Sequence, residues 1–108
     1  MGINVVGMNT QDTFRLETLA RLVGDATGCP DLFAHRRTAK LVAARAVFHY
    51  LAFIYLNATL TQIARFSGRS YSIIYYDVTR FKERLNYDWR LRDAWDLCKD
   101  IPEAIAQL

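Results

Sequence analysis

Side chains able to do acid–base, nucleophilic or metal chemistry are few in this chain, and they are scattered. His35 and His49 are the only histidines, and Cys29 and Cys98 the only cysteines. Neither histidine has a Cys, Ser or carboxylate partner at a recognisable catalytic spacing, and no Cys/His cluster has the separation of a metal site. His49 reads as a boundary residue of a long helix. Asp77 beside Tyr76, and Glu83 beside Lys82, read as helix-surface charges. No Gly-x-x-x-x-Gly-Lys-Ser/Thr phosphate loop occurs. The expectation is a binding protein, not an enzyme, with no metal, cofactor or nucleotide.

The chemistry the chain does carry is cationic. Its formal net charge is +3, and most of its 14 basic residues are arginine, the side chain suited to bidentate contact with phosphate and guanine. One stretch gives these charges a frame. A helix-turn-helix needs a small residue where its helices cross, a residue tolerant of positive φ in the turn, and an apolar anchor under the second helix. Ala64, Gly68 and Ile74 supply these roles at the required spacing within residues 60–80. The recognition helix then starts near Ser70. Arg69, Ser70, Tyr71, Ser72, Tyr75 and Tyr76 come to face the major groove, with Tyr75 the more exposed of the adjacent pair. Arginine and the hydroxyls can donate to base edges or phosphates, and the tyrosines can also cover thymine methyls. Arg80, Lys82 and Arg84 extend the basic surface, as a backbone track or as a solvated face.

The elements that must position these residues are helices. Asp12 can cap a helix to about Val23, with Phe14, Leu16, Leu19, Ala20 and Val23 on its apolar face. Gly24 and Gly28 punctuate it, and Pro30-Asp31 opens a short helical turn carrying Leu32 and Phe33. The basic run His35 to Lys40 leads into a long helix from about Leu41 to Leu56, apolar at Val42, Ala46, Val47, Tyr50, Leu51 and Ile54. Thr59 can cap the helix from Leu60 to Phe66, and Ser70 one reaching Leu85. A further helix runs from Trp89 to Asp100, and Pro102 starts a last turn. Strand signals are almost absent, because the β-branched residues fall at helical spacing. The fold class is all-α, with a loose start over residues 1–10 and a single helical domain over residues 11–108. Hydrophobic residues, 52% of the chain, are enough for a core.

The apolar stretch from Ala43 to Leu60 is interrupted by Arg45, His49 and Asn57, so it reads as a buried helix and not a membrane span. No secretion signal is evident at the N-terminus. Cys29 and Cys98 read as buried free thiols in a reducing, cytoplasmic setting.

From about Phe14 to Leu85, two thirds of the chain, the sequence resembles the C-terminal DNA-binding domain of the bacterial chromosomal replication initiator DnaA. That family's leading helix is followed by an Asp-Leu turn, matched by Asp31-Leu32, and by a basic pair, matched by Arg36-Arg37. Its long helix begins with a DNA-contacting arginine, matched by Arg45, before a stretch like Tyr50-Leu51-Ala52. Its helix-turn-helix carries Gly-Gly-Arg-Asp-His-Thr-Thr-Val. Here the run is Gly68-Arg69-Ser70-Tyr71-Ser72-Ile73-Ile74, with the turn one residue shorter and the base-reading Asp-His-Thr replaced by Ser70-Tyr71-Ser72. The resemblance implies a compact multi-helix fold around a central helix-turn-helix, like that initiator domain or the Trp repressor. It implies docking on double-stranded DNA at a different target sequence, with Arg45 in the minor groove and Arg36 and Arg37 near phosphates. The initiator's ATPase module has no counterpart in the sequence, so the implied role is that of a free-standing, nucleoid-associated regulator or accessory factor in transcription or replication control.

The extra C-terminal helix, about residues 89–100, carries Trp89, Leu91, Trp95 and Leu97, with Ile101 just beyond it. These residues can cover the core or form a homodimer face, which would let two copies read two half-sites. The alternative function is a protein-interaction adaptor that presents the tyrosine-rich helix to a protein partner.

Overall fold

The computed structural model describes residues 10–106, with side chains from Asp12 onward. Seven helical segments follow one another: α1 (Thr10–Thr27), α2 (Ala39–Tyr55), α3 (Leu60–Ser67), α4 (Tyr71–Thr79), α5 (Phe81–Arg84), α6 (Trp89–Cys98) and α7 (Ile101–Ile105). There is no strand among the described residues. The all-α reading holds. Nearly all of the loose start expected over residues 1–10 lies outside the described residues.

α2 is the axis of the molecule. Every residue from Ala43 to Ala52 is buried, so this helix is enclosed on all sides and not only along one stripe. α1, α4 and α6 pack around it. Ala46, Val47, Tyr50 and Leu51 are buried as the pattern predicts, but Val42 and Ile54 are exposed and Phe48 takes a fully buried place instead. Polar side chains within the buried run, Arg45 and His49, are enclosed with it. Phe14 is likewise exposed, whereas Leu16, Leu19 and Val23 form the inner face of α1.

Helix boundaries move where tertiary contacts outweigh local signals. α1 begins before Asp12 and runs past Gly24 to Thr27. Gly24 is needed for packing: a Cβ there would lie 2.7 Å from the carbonyl oxygen of Cys29, whose N–H donates to the Gly24 carbonyl across 2.7 Å. The chain then reverses at Gly28, φ +73°. No helix forms at Pro30-Asp31; residues 30–35 make turns and bends, with Leu32 buried and Phe33 edge-on to Phe48 and Phe66. The helix expected from Ser70 to Leu85 is broken at Arg80, whose φ of −102° and ψ of 2° leave the helical region. That break turns Phe81 into the core, where it stacks on Tyr50 with centroids 4.1 Å apart and meets Trp95 edge-on.

α6 divides its apolar residues. Leu91 is fully buried, and Trp95, like Ile101 at the start of α7, packs partly buried against the core. Trp89 and Leu97 stay out, 63% and 60% exposed, on the rim of a shallow cavity of about 290 Å³ that also touches Thr27, Ala43 and Ala94. Both cysteines are buried free thiols, as expected.

Candidate nucleic-acid interface

The corner between α3 and α4 is specified residue by residue. Thr59 and Gln62 cap α3 reciprocally: the Gln62 N–H donates to Thr59 Oγ1 (3.1 Å), and the Thr59 N–H to Gln62 Oε1 (2.8 Å). Gly68 ends α3 in the left-handed region, φ 68° and ψ 29°, and the N–H groups of Gly68 and Arg69 both donate to the Ala64 carbonyl. A Cβ at Gly68 would meet nothing within 4 Å, so backbone conformation alone calls for glycine here. Ser70 caps α4, its Oγ accepting from the Ile73 N–H across 3.3 Å. Ile63 and Ile74 are fully buried and Ala64 is partly buried against the core.

α4 buries only Ile74 and Asp77. Tyr71, Ser72, Ile73, Tyr75 and Tyr76 all face outward, so neither of the adjacent tyrosines turns into the core; they are 53% and 50% exposed. The Tyr71 and Tyr75 rings lie within 14° of parallel, centroids 6.5 Å apart, and the Arg84 guanidinium sits 5.1 Å above the Tyr76 ring.

The arginines separate into two kinds. Arg36 and Arg37 are exposed in the loop before α2. The resemblance implied that Arg45 enters a minor groove; instead its side chain is turned inward. It is 5% exposed, and its guanidinium is turned back on the preceding loop, Nε donating to the Leu32 carbonyl (2.7 Å) and Nη2 to that of Ala34. The cause lies in the 31–34 loop: Leu32 and Phe33 enter the core without helix or sheet partners, and a fork of N–H donors from α2 satisfies the Leu32 and Ala34 carbonyls. Arg69 reaches the same Ala34 carbonyl from the turn, Nη2 to O 3.3 Å, and stays half-buried. Burial first, then the nearby Arg69 and Arg37 charges, pull the Arg45 pKa below its ordinary value.

A polar network that sequence reasoning missed lies beneath this surface. His49 is 1% exposed, not a boundary residue; its Nδ1 faces Asp77 Oδ2 at 2.8 Å and its Nε2 faces Ser67 Oγ at 3.2 Å. Asp77 is no surface charge either. Its Oδ1 accepts from Arg84 Nη1 (3.1 Å), and Arg84 Nη2 reaches Asp88 Oδ2 (3.4 Å). Asp88 in turn caps α6 through the Leu91 N–H. Arg84 is therefore buried in this network and does not extend a basic track. In the tautomer whose Nδ1–H donates to the Asp77 carboxylate, Nε2 is left to accept the Ser67 hydroxyl proton. Five helices, α2 to α6, are tied by one chain of bonds. The one signal for it in sequence is His49 itself, set among apolar and aromatic residues from Ala46 to Ile54 of α2.

Ser67, His49 and Asp77 have the bonding order of a hydrolase triad, but the setting opposes acyl transfer. Ser67 is buried at the last position of α3, where the helix presents its negative end; a developing oxyanion needs converging N–H donors. Among the described residues no group of three or more His, Cys, Asp or Glu is placed to hold a metal ion, and no helix is long and apolar enough to cross a membrane. No protein-family model matches the chain, and neither a curated protein nor a solved structure matches it significantly.

Proposed function

We propose that this chain is a double-stranded DNA-binding domain that lays α4 in the major groove, acting in transcription or replication control. The observation that carries this reading is the placement of Ser70, which opens the exposed, hydroxyl-rich helix start Ser70-Tyr71-Ser72, on one cavity with Arg37 and Arg69, with Arg36 exposed next to Arg37 in the same loop. A helix offered N-terminus first, flanked by cations, is the arrangement by which helix-turn-helix domains meet a duplex. The capped α3, the left-handed Gly68 and the buried Ile74 support it, as does the resemblance to the replication initiator's DNA-binding domain. In this reading Arg36 and Arg37 contact phosphates, Arg69 holds the turn, and Tyr71, Ser72 and Tyr75 read base edges and thymine methyls. Arg45 acts indirectly, by holding the loop that carries the basic pair.

The test is a fluorescence-anisotropy titration of random-sequence duplex at several salt concentrations, beside an Arg36→Gln, Arg37→Gln variant. Affinity should fall with salt at about 0.9 log units per log unit for each phosphate neutralised, and the variant's slope should be shallower by about two such contacts. Absence of salt-dependent binding to any duplex would sink the reading.

One feature of α4 favours a second reading. Its outward face carries Tyr71, Ile73, Tyr75 and Tyr76 and no basic side chain, a composition that also suits a protein partner. An adaptor of that kind would lose its partner on Tyr71→Ala, Tyr75→Ala substitution and be indifferent to Arg36→Gln, Arg37→Gln.

A further inference from the structure

A cavity of about 300 Å³ opens between the loop before α2, α2 itself and the α3–α4 turn. Arg37 lines it from the loop, Arg45 from α2, and Arg69 and Ser70 from the turn. Three guanidiniums share one space, and among the described residues none of them forms an ion pair. Arg45 is the informative member. Its bonds to the Leu32 and Ala34 carbonyls satisfy N–H groups but supply no full counter-charge. The nearby Asp31 carboxylate forms no ion pair with it and offsets less than the burial and the two neighbouring arginines cost, so a buried cation stands only partly compensated. The depressed Arg45 pKa has the same origin, burial together with the repulsion of Arg69 and Arg37. Asp77 also reaches the cavity, but both its oxygens are engaged, by His49 and Arg84. Ser70 Oγ accepts from the Ile73 N–H, which leaves its hydroxyl proton to donate at the positive end of the nine-residue α4.

We propose that this cavity seats one phosphate-class oxyanion, gripped by the Arg37 and Arg69 guanidiniums and the Ser70 hydroxyl above the charged floor of Arg45. Its volume, at the lower end for small-ligand sites, leaves room for a phosphate and part of its ester substituent. The same chemistry has two sources: a backbone phosphate of bound DNA, and a free phosphate or phosphomonoester. The first source rests on the DNA-binding reading above; the second does not.

The experiment titrates inorganic phosphate into the chain at constant ionic strength, chloride replacing it in the reference, and follows amide and arginine Nε–H resonances. In parallel, duplex binding is measured with and without phosphate. Arg37→Gln is the main variant, because Arg37 is exposed and its loss leaves the fold intact; Arg21→Gln on α1, outside the cavity, is the charge-matched control. Saturable shifts at Arg69, Ser70 and Tyr71 are expected, lost in Arg37→Gln and kept in Arg21→Gln. If DNA supplies the phosphate, the free ion competes with duplex. Arg37→Gln then weakens duplex binding about tenfold, the scale of one charge-assisted hydrogen bond, and flattens the salt slope by about 0.9. Saturable shifts without competition, or without any duplex binding, assign the seat to a free phosphate, and in the second case the DNA reading fails alone. Non-saturating shifts spread over all arginines overturn the proposal. If duplex binding survives Arg37→Gln unchanged alongside them, the DNA reading outlives it.

Discussion

His49 Nδ1 and Asp77 Oδ2 lie 2.8 Å apart, twenty-eight residues apart in sequence, and their contact joins the central helix α2 to the largely exposed helix α4. The orientation of α4 on α2 therefore depends on a buried polar bond as well as on the apolar anchor Ile74. Such a bond is directional, so it fixes the rotation of α4 about its axis, which burial of one isoleucine does not.

Asp77→Ala should accordingly be costly. It removes the shared acceptor of two nearly buried groups, His49 and Arg84, and should lower unfolding free energy by about 3 kcal/mol in urea titration. His49→Leu combined with Asp77→Leu should cost less than the sum of the single changes, since neither partner is then left alone. Strict additivity would mean that the bond is not made in solution.

Arg45→Ala should behave as a stability variant rather than a binding variant. The buried Leu32 carbonyl loses its donor and the part-buried Ala34 carbonyl keeps only Arg69, so about 2 kcal/mol should be lost, and residues 31–37 should become the first site of limited proteolysis. Arg36→Ala, at an exposed position, should stay within about 0.5 kcal/mol of the parent. Equal small effects from both would contradict the inward placement of Arg45.

Two glycines should respond differently to alanine. At Gly68 only the positive φ opposes a side chain, and the cost should be about 1 kcal/mol. At Gly24 the new methyl meets the Cys29 carbonyl oxygen at 2.7 Å, so the reversal after α1 must shift, at about 2 kcal/mol or more. Thermal unfolding of the two variants ranks them, and a larger loss at Gly68 would be the contrary result.

Burial pushes the Cys98 thiol up to about 11 from an ordinary value of 9.0. In the unfolded chain this thiol ionises near its ordinary value, while in the folded chain it holds its proton longer. The unfolded state thus binds fewer protons between about pH 9 and 11, and this contribution to stability, complete below that window, falls as pH rises through it. Cys98→Ala should make the alkaline loss of stability shallower. Thiol titration of the native protein should leave Cys98 unreacted at neutral pH until the chain unfolds.

Local chemistry alone determined much of this protein. Thr59 and Ser70 announce helix starts because their oxygens accept the first unpaired N–H groups, and Gly68 announces a helix end because only glycine enters the left-handed region without cost. Alternation at helical period was enough for the all-α class. Tertiary structure decided which polar residues face inward. Arg45, His49, Asp77 and Arg84 are residue types that can equally face solvent, and apart from Asp88, four residues after Arg84, nothing within a turn of each identifies its partner. Their partners come from other segments: the 31–34 loop for Arg45, Ser67 and Asp77 for His49. The break at Arg80 is of the same kind, since it is set by the need of Phe81 to reach Tyr50. Caps and turns are satisfied within three or four residues and so can be read along the chain. A buried charge is satisfied only by whatever the completed fold brings to it.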